Sequence, residues 1–451
     1  MEIISSYGTE IRKLNKPLCA TLDIYRKAVA WLIPVYDREW KVLEEQTDKN
    51  RRFNLAEHLV HETKKNHALW PFDTVFPKMP SYLRRSAIRH ALGTVSSYRS
   101  RMELWEQGKL SGKPRLTSEN HEMPVFYHKE MYRVSTGQDG KMIGDCQEDL
   151  IELKLYNGKD WLWYPVRLLH TDLQYLRRHW AGKKTESPVL EKRHRKYFLR
   201  FTFKEKVSLT KKKLSEGRIC AVDLGLNTYA VCSVMDMEGT VLARRFIDFA
   251  SEKDLLGHVT GRIRRVQRTP GKQNQIKARW RYAVRLNEEL ARKISTAIVR
   301  FSKEQGCDAI VFEYLDITGK IRGSRKQKLH LWRKRDIQKR SEHMAHRTGM
   351  RSSRVNAWGT SAYAYDGSGK VERDRDNHSM CTFSSGKRYH CDQSASYNIG
   401  ARYWLREIIK SLPETERSLL EAKVPAVKRR SRCVYADLLC VNRVLGKRKA
   451  A

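Results

Sequence analysis

Ile219-Cys220-Ala221-Val222-Asp223-Leu224-Gly225-Leu226-Asn227 carries the first structural signal of this chain. Four small or apolar residues lead into one aspartate, with a glycine two positions later. Such a run reads as a buried strand. A carboxylate at its end needs a cation, a partner or access to water, because an unpaired buried charge is costly. The pattern recurs in Ala309-Ile310-Val311-Phe312-Glu313, another apolar run ending in an acid. A third acid, Asp392, opens the helix-like stretch Asp392-Gln393-Ser394-Ala395-Ser396-Tyr397-Asn398-Ile399.

Elements around these runs suggest an α/β sheet. Tyr229–Val234 and Val241–Ile247 read as strands antiparallel to the first, with a turn near Glu238-Gly239. Residues 252–305 favour helix, interrupted at Thr269-Pro270-Gly271. In the second part Ala283, Leu286, Leu290, Ile294, Ala297 and Phe301 form one stripe, and Gly306 is a suitable stop. Hairpin, crossing helix, strand and further helix are compatible with an RNase H-like fold. Residues 319–354 read as basic and helical, 356–390 as loops or short strands, and 392–412 as a helix stopped by Pro413. The tail, with Lys428–Arg432 and Lys447–Lys449, reads as partly disordered.

Before Lys211-Lys212-Lys213 the chain mixes helix and strand. Leu83, Ala87, Ile88, Ala91, Leu92 and Val95 recur at helical spacing, with Arg84 and Arg85 on the remaining face. Ile151–Tyr156, Asn157-Gly158 and Trp161–Tyr164 spell a hairpin. Tyr197–Phe203 is a further strand. Trp161 and Trp163 are read as core rather than as base-stacking platforms. This half reads as a helical lobe inserted into a small β domain.

Composition points to a partner. The 451 residues hold 89 Lys+Arg against 51 Asp+Glu, a formal charge of +38. With 40% hydrophobic residues the chain can still bury a core, so general disorder is not expected. The charge makes nucleic acid the default partner, since phosphate contacts release counterions. Basic residues run along the whole chain rather than beside an apolar anchor, which disfavours a membrane partner. No apolar run approaches a membrane span and Met1–Ile4 lacks a signal-peptide pattern. The 9 cysteines form no close CxxC pair, so reduced thiols in a cytosol-like, cytoplasmic compartment are expected. Candidate nucleic-acid contacts are Arg84, Arg85, Arg264, Arg265, Arg268, Arg279, Arg281, Trp332 and Arg333.

Three acids in this order, in so basic a chain, suit two-metal phosphodiester hydrolysis, whose carboxylates hold ions about 3.5–4 Å apart. Mg²⁺ takes oxygen ligands and keeps several waters, so Asp223, Glu313 and Asp392 suffice as catalytic and metal-binding residues, with Mn²⁺ able to substitute. Asp374 and Asp376 are rival acids, but no apolar helix follows them.

Ala221–Gly225, Val311–Leu315 and Asp392-x-x-Ala395-x-x-Asn398-Ile399 resemble the three RuvC motifs of TnpB, the transposon-encoded RNA-guided nuclease, and of the related compact type V CRISPR effectors. The resemblance implies a RuvC-like nuclease domain of RNase H-like α/β fold. A small β-barrel-like wedge domain with an inserted α-helical recognition lobe would precede it. The wedge would take 1–20 and 119–214, the lobe 21–118, the RuvC-like domain 215–355 and 391–412, and a basic tail 413–451. A zinc-ribbon-like insert would occupy 356–390. That insert departs from the family: Ala362–Ser368 has no cysteine pair, and only Cys381 and Cys391 remain, with His378 and His390 nearby. Tetrahedral zinc wants four ligands, so no structural zinc is expected.

The resemblance further implies a guide RNA as cofactor and target DNA as substrate. The protein would read a short flanking motif and hold the RNA–DNA heteroduplex. Alternatives are a guide-directed repressor that does not cut, and a transposase acting without RNA. All three acids are present, which favours cutting. These residues indicate no oligomeric state.

Overall fold

Alternating burial along Glu2–Arg12 makes the first strand, β1, of the computed structural model. The structure describes residues 1–12, 14–134, 150–183, 185–193, 196–225, 228–269, 273–314 and 333–449. The chain forms two units, one of residues 2–205 and one of residues 206–451 with Met1.

In the first unit β1 is followed by five helices: α1 (Asn15–Arg38), α2 (Trp40–Glu44), α3 (Lys49–Val60), α4 (Phe72–Val75) and α5 (Ser81–Glu106). Then come β2 (Tyr132–Val134), β3 (Leu150–Tyr156), β4 (Trp161–Leu168), α6 (His170–Trp180), β5 (Val189–Arg193) and β6 (Lys196–Lys206). The six strands lie in the order β2-β3-β4-β1-β6-β5. Pro124–Phe126 hydrogen-bonds to the β5 side, through Phe126 N to Pro188 O (2.8 Å) and Leu190 N to Pro124 O (2.9 Å). The same stretch runs on into β2, so it touches both ends of the strand order. One core joins helices and sheet: Leu18, Leu22 and Tyr25 of α1, Leu83 and Ala87 of α5, and Phe201 and Phe203 of β6.

One local expectation changes here. The first helix begins at Asn15, so residues 15–20 belong to the helices. The hairpin joins its strands through Asn157–Asp160, where they were expected to meet, and the Asn157 side chain accepts from the amides of Lys159 and Asp160 (both 2.8 Å). Trp161 packs against the core, whereas Trp163 lies half-buried beneath the Arg133 guanidinium at 3.9 Å.

The second unit is built on β7 (Arg218–Asp223), β8 (Ala230–Asp236), β9 (Val241–Ile247), α7 (Ala250–Gln267), α8 (Gln273–Glu304), β10 (Ala309–Tyr314), α9 (Lys334–Arg347) and β11 (Arg351–Asn356). Its sheet runs β11-β10-β7-β8-β9, with β7 antiparallel to β8 and parallel to β10. A small sheet follows, β12 (Glu372–Arg373), β13 (Met380–Thr382) and β14 (Arg388–His390), and leads directly into α10 (Cys391–Ser411). The chain closes with α11 (Glu414–Lys423) and α12 (Tyr435–Lys449). No helix among the described residues is long and apolar enough to cross a membrane.

Strand periodicity sorts this sheet's side chains onto two faces. Cys220, Val222, Ile310 and Phe312 join Leu290, Ile294 and Ile298 of α8. Ile219, Ala221, Ala309 and Val311 join Tyr397, Ile399 and Trp404 of α10. Gly400 lets α10 come close: a Cβ there would stand 3.1 Å from Met235 Sδ and 3.4 Å from Ala221 Cβ.

Two further expectations are corrected. Arg351–Asn356 is not helix but an edge strand parallel to β10. Its Arg-Ser-Ser-Arg run has no apolar alternation, because a strand at the sheet's edge meets water on several sides. The helical reading of 319–332 lies outside the described residues. Among the described residues the tail packs against α10 rather than being disordered, with Leu420, Val427, Leu438 and Val441 buried. Asn442 Nδ2 donates to Met237 O (2.9 Å) and Tyr435 Oη donates to Gly239 O. The basic clusters hid this spaced apolar set.

Candidate functional site

Strand alternation places the first two acids. Asp223 continues the row Ile219–Ala221 and Glu313 the row Ala309–Val311, so both point to the face covered by α10. The parallel register pairs Phe312 with Val222, which leaves Asp223 and Glu313 side by side at the next step. Each is only 7% exposed. Asp392 lies half-buried in the first turn of α10, where a helix N-terminus favours negative charge. A Cβ on Gly225 would come within 3.2 Å of Asp392 Oδ2 and 2.6 Å of the Thr228 carbonyl. The glycine after Asp223 is therefore the space into which Asp392 reaches.

Electrostatics ties the three acids together. Burial pushes the Asp223 carboxyl well above its ordinary range, and the Glu313 and Asp392 carboxylates push it further; Arg373 acts against them. Burial also raises Glu313, opposed by the Thr360 hydroxyl, Arg402 and Lys334. Asp392 is raised by burial, opposed by His390 and Arg373. Among the described residues no three Asp, Glu, His or Cys side chains form a closed cage of metal-binding spacing. The donor chemistry nevertheless fits a hard divalent cation: three carboxylates and no thiolate, with surplus negative charge that a cation would relieve.

Supporting residues fix Glu313 and the loop above it. Thr360 Oγ1 donates to Glu313 Oε1, and Gln338 Nε2 donates to the Glu313 carbonyl (2.9 Å). Buried Asn398, two turns into α10, donates to Thr360 O (2.9 Å) and Tyr363 O (3.0 Å) and accepts from Tyr435 N (2.9 Å). Arg402 donates to the carbonyls of Cys433 (2.9 Å) and Asn356 (2.7 Å). Asn398 stood in the third sequence motif without a role. Thr360, Gln338 and Arg402 carried no signal, because each acts through a contact distant in sequence.

Asp374 is a turn residue. It accepts from the amides of Asp376 and Asn377 and pairs with Arg388 at 2.6 Å. In the cysteine-poor insert, Cys381 and Cys391 lie in an apolar cluster with Ala364 and Phe383. Burial and the neighbouring Cys391 push the Cys381 thiol up to about 12. His390 packs edge-on against Phe246 at 5.0 Å. Tyr365 meets Phe383, Tyr389, Tyr397 and Tyr435 with ring centroids 5.1–5.9 Å apart, an aromatic core for the insert.

The basic candidates divide. Arg84 is not a surface contact: it is buried and pairs with Asp73 (3.0 Å) and Glu57 (3.9 Å). Arg85 approaches Glu57 (3.6 Å) and lies over Phe53. Arg333 is half-buried between Glu288 (3.0 Å) and Asp336 (3.5 Å), with which it pairs. The acid partners of Arg84 and Arg333 are remote or unremarkable in sequence. Arg264, Arg265, Arg268 and Arg281 are exposed and Arg279 is half-buried. Trp332 lies outside the described residues.

A model described as the Aq_aa04 family matches residues 5–157. The uncharacterized protein aq_aa04 of Aquifex aeolicus (strain VF5) is 29% identical over 148 residues, 32% of this chain and 82% of that protein. Among solved structures, the mini-RNA-guided endonuclease CRISPR-Cas phi3 shares 11% identity over 88% of this chain and 92% of that one, with a TM-score of 0.52. CasPhi-2 (Cas12j) bound to crRNA and phosphorothioate-DNA shares 12% identity over 89% and 91%, with a TM-score of 0.50. The fold of this chain, mixed α/β with several sheets, resembles that of these Cas12-type effectors.

Proposed function

We propose that this chain is an RNA-guided DNA endonuclease of the TnpB-like and compact type V kind. It would bind DNA complementary to a guide RNA, next to a short flanking motif, and cut it with one RuvC-like site. The observation that carries the reading is the meeting of Asp223, Glu313 and Asp392 on one face of the sheet beneath the start of α10. The likeness of the fold to an RNA-guided endonuclease and to a protein bound to crRNA and DNA supports it. The charge of +38 suits so many phosphate contacts. A prokaryotic cytoplasm is the matching location.

Mg²⁺, or Mn²⁺ in its place, held by Asp223, Glu313 and Asp392 would supply Lewis-acid polarisation of a phosphate oxygen and activation of water. The chain's own residues do the positioning. Thr360 fixes one oxygen of Glu313, Gln338 fixes its backbone, and Asn398 ties the Thr360 loop to the helix that carries Asp392. The Arg373 guanidinium, which offsets Asp223 and Asp392, is exposed at this face and available to a phosphate.

The test is to express the chain with its flanking genomic DNA, sequence the RNA that co-purifies, and offer a matched target with a randomised flank and Mg²⁺. A discrete RNA and cutting that disappears in Asp223→Asn are expected. RNA with matched binding but no cutting would replace the nuclease by a repressor. No specific RNA would overturn the guided reading and leave a transposase.

A further inference from the structure

We infer that the exposed face of α5 is a separate, anion-binding site, a groove that seats the phosphodiester backbone of a nucleic-acid strand. The inference does not depend on the acidic site, none of whose residues takes part.

Arg89, Gly93, Ser97 and Arg101 recur every four residues and are all exposed. Each is therefore the i,i+4 neighbour of the one before, and together they form one ridge inclined to the helix axis. Arg115, Leu116 and Thr117 form the facing wall of a groove of about 460 Å³, with Glu122 also lining it. Over twelve residues of helix the two end arginines stand about 18 Å apart, a length that several phosphates of one strand can follow.

Charge identifies the occupant. Arginines that border this region are engaged: Arg84 with Asp73, Arg99 with Asp37, and Arg26 with the Glu122 carbonyl. Among the described residues Arg89, Arg101 and Arg115 have no ion pair or hydrogen bond, and Arg89 is seated over the Phe53 ring at 4.8 Å. The lining acid, Glu122, faces His90 at 3.3 Å. Three arginines thus line one groove with one acid among them. Their planar donors match phosphate oxygens.

The floor of the groove agrees. A Cβ on Gly93 would meet nothing within 4 Å, so neither packing nor backbone shape demands glycine. Glycine inside a helix costs about 1 kcal/mol relative to alanine. Here it keeps the floor between the two arginines low.

The experiment uses full-length protein stripped of nucleic acid in high salt, in EDTA, with fluorescent single-stranded RNA and DNA titrated at several salt concentrations. Each phosphate contact contributes about 0.7 to the slope of log K against log salt for a single strand. The variant Arg89→Gln/Arg101→Gln/Arg115→Gln is expected to flatten that slope by about 2. Lys49→Gln/Lys64→Gln/Lys65→Gln removes the same charge from exposed positions elsewhere and should change it by less than about 1. Gly93→Leu, which fills the groove without altering charge, should also weaken binding. Equal effects of the two triple variants, or no effect of Gly93→Leu, would overturn the site. Binding of ATP or inorganic phosphate that the groove variant loses, with strand binding unchanged, would overturn the strand and leave a free-phosphate pocket.

Discussion

Asp223 and Glu313 occupy the register step just beyond the pair Val222–Phe312, at the ends of parallel strands, and both are buried. Two carboxylates so placed repel one another and lose hydration together. The sheet therefore holds them against their own electrostatics, and two kinds of measurement should show it.

The first is stability without metal. All three acids have folded-state pKa values above their ordinary range. Between the unfolded and the folded values the folded chain holds more protons, so stability falls as pH rises through that window. Their favourable contribution is complete below about pH 4, the unfolded carboxylate range, and is lost as pH passes the raised values. In EDTA at pH 7, Asp223→Asn is expected to melt above the wild type. One pKa unit corresponds to about 1.4 kcal/mol, or roughly 2–4 °C for a unit of this size. The difference should shrink as the pH is lowered to about 4. A variant that melts lower at pH 7 would contradict the coupling.

The second is the response to divalent ions. A cation that binds only the folded chain raises its melting temperature with concentration. Mg²⁺ or Mn²⁺ at millimolar levels is expected to raise the wild type and to leave Asp223→Asn and Asp392→Asn unmoved. Calorimetric titration should show the same contrast. An equal rise in all three proteins would place the ions elsewhere.

Arg84 supplies an opposite case. Its guanidinium is buried between Asp73 and Glu57, one of them a third exposed. Removing it strands those acids, at an expected cost of about 2–3 kcal/mol after allowing for solvent. Arg84→Ala should lower the urea midpoint of the chain. Folded Arg84→Ala protein should keep the wild-type salt dependence of RNA binding, whereas a flattened slope would return Arg84 to the contact surface.

Much of this architecture was legible where one periodicity ruled. Ile219–Asp223 and Ala309–Glu313 run apolar because both faces of the sheet are covered, and each run ends at a buried acid. The stripe through Leu290, Ile294 and Phe301 showed a helix packed on one side. Legibility failed where partners come from afar. Arg351–Asn356 lacks an apolar pattern because it is a sheet edge. The tail looked disordered because Leu420, Val427 and Leu438 are scattered among lysines and arginines. On α5 the arginines looked alike, and only the positions of Asp73, Glu57 and Asp37 separate paired from unpaired ones.

Thr360 and Asn398 allow positioning to be separated from folding. Thr360→Val keeps the shape of the side chain and removes the hydroxyl that holds Glu313 Oε1. Loss of such a partner to a metal-binding carboxylate typically costs about 10–100-fold in affinity or activity. The expectation is that Thr360→Val cuts more slowly and needs more Mg²⁺, with an unchanged melting temperature in EDTA, while Thr360→Ser is rescued. Asn398→Ala removes three hydrogen bonds at once and leaves buried groups of Thr360, Tyr363 and Tyr435 without partners. At about 1–3 kcal/mol for each unsatisfied group, it should lower the melting temperature before any metal is added. If Thr360→Val lost stability as Asn398→Ala does, its hydroxyl would be part of the scaffold. A loss confined to Mg²⁺ affinity and cutting makes it a positioning residue for Glu313.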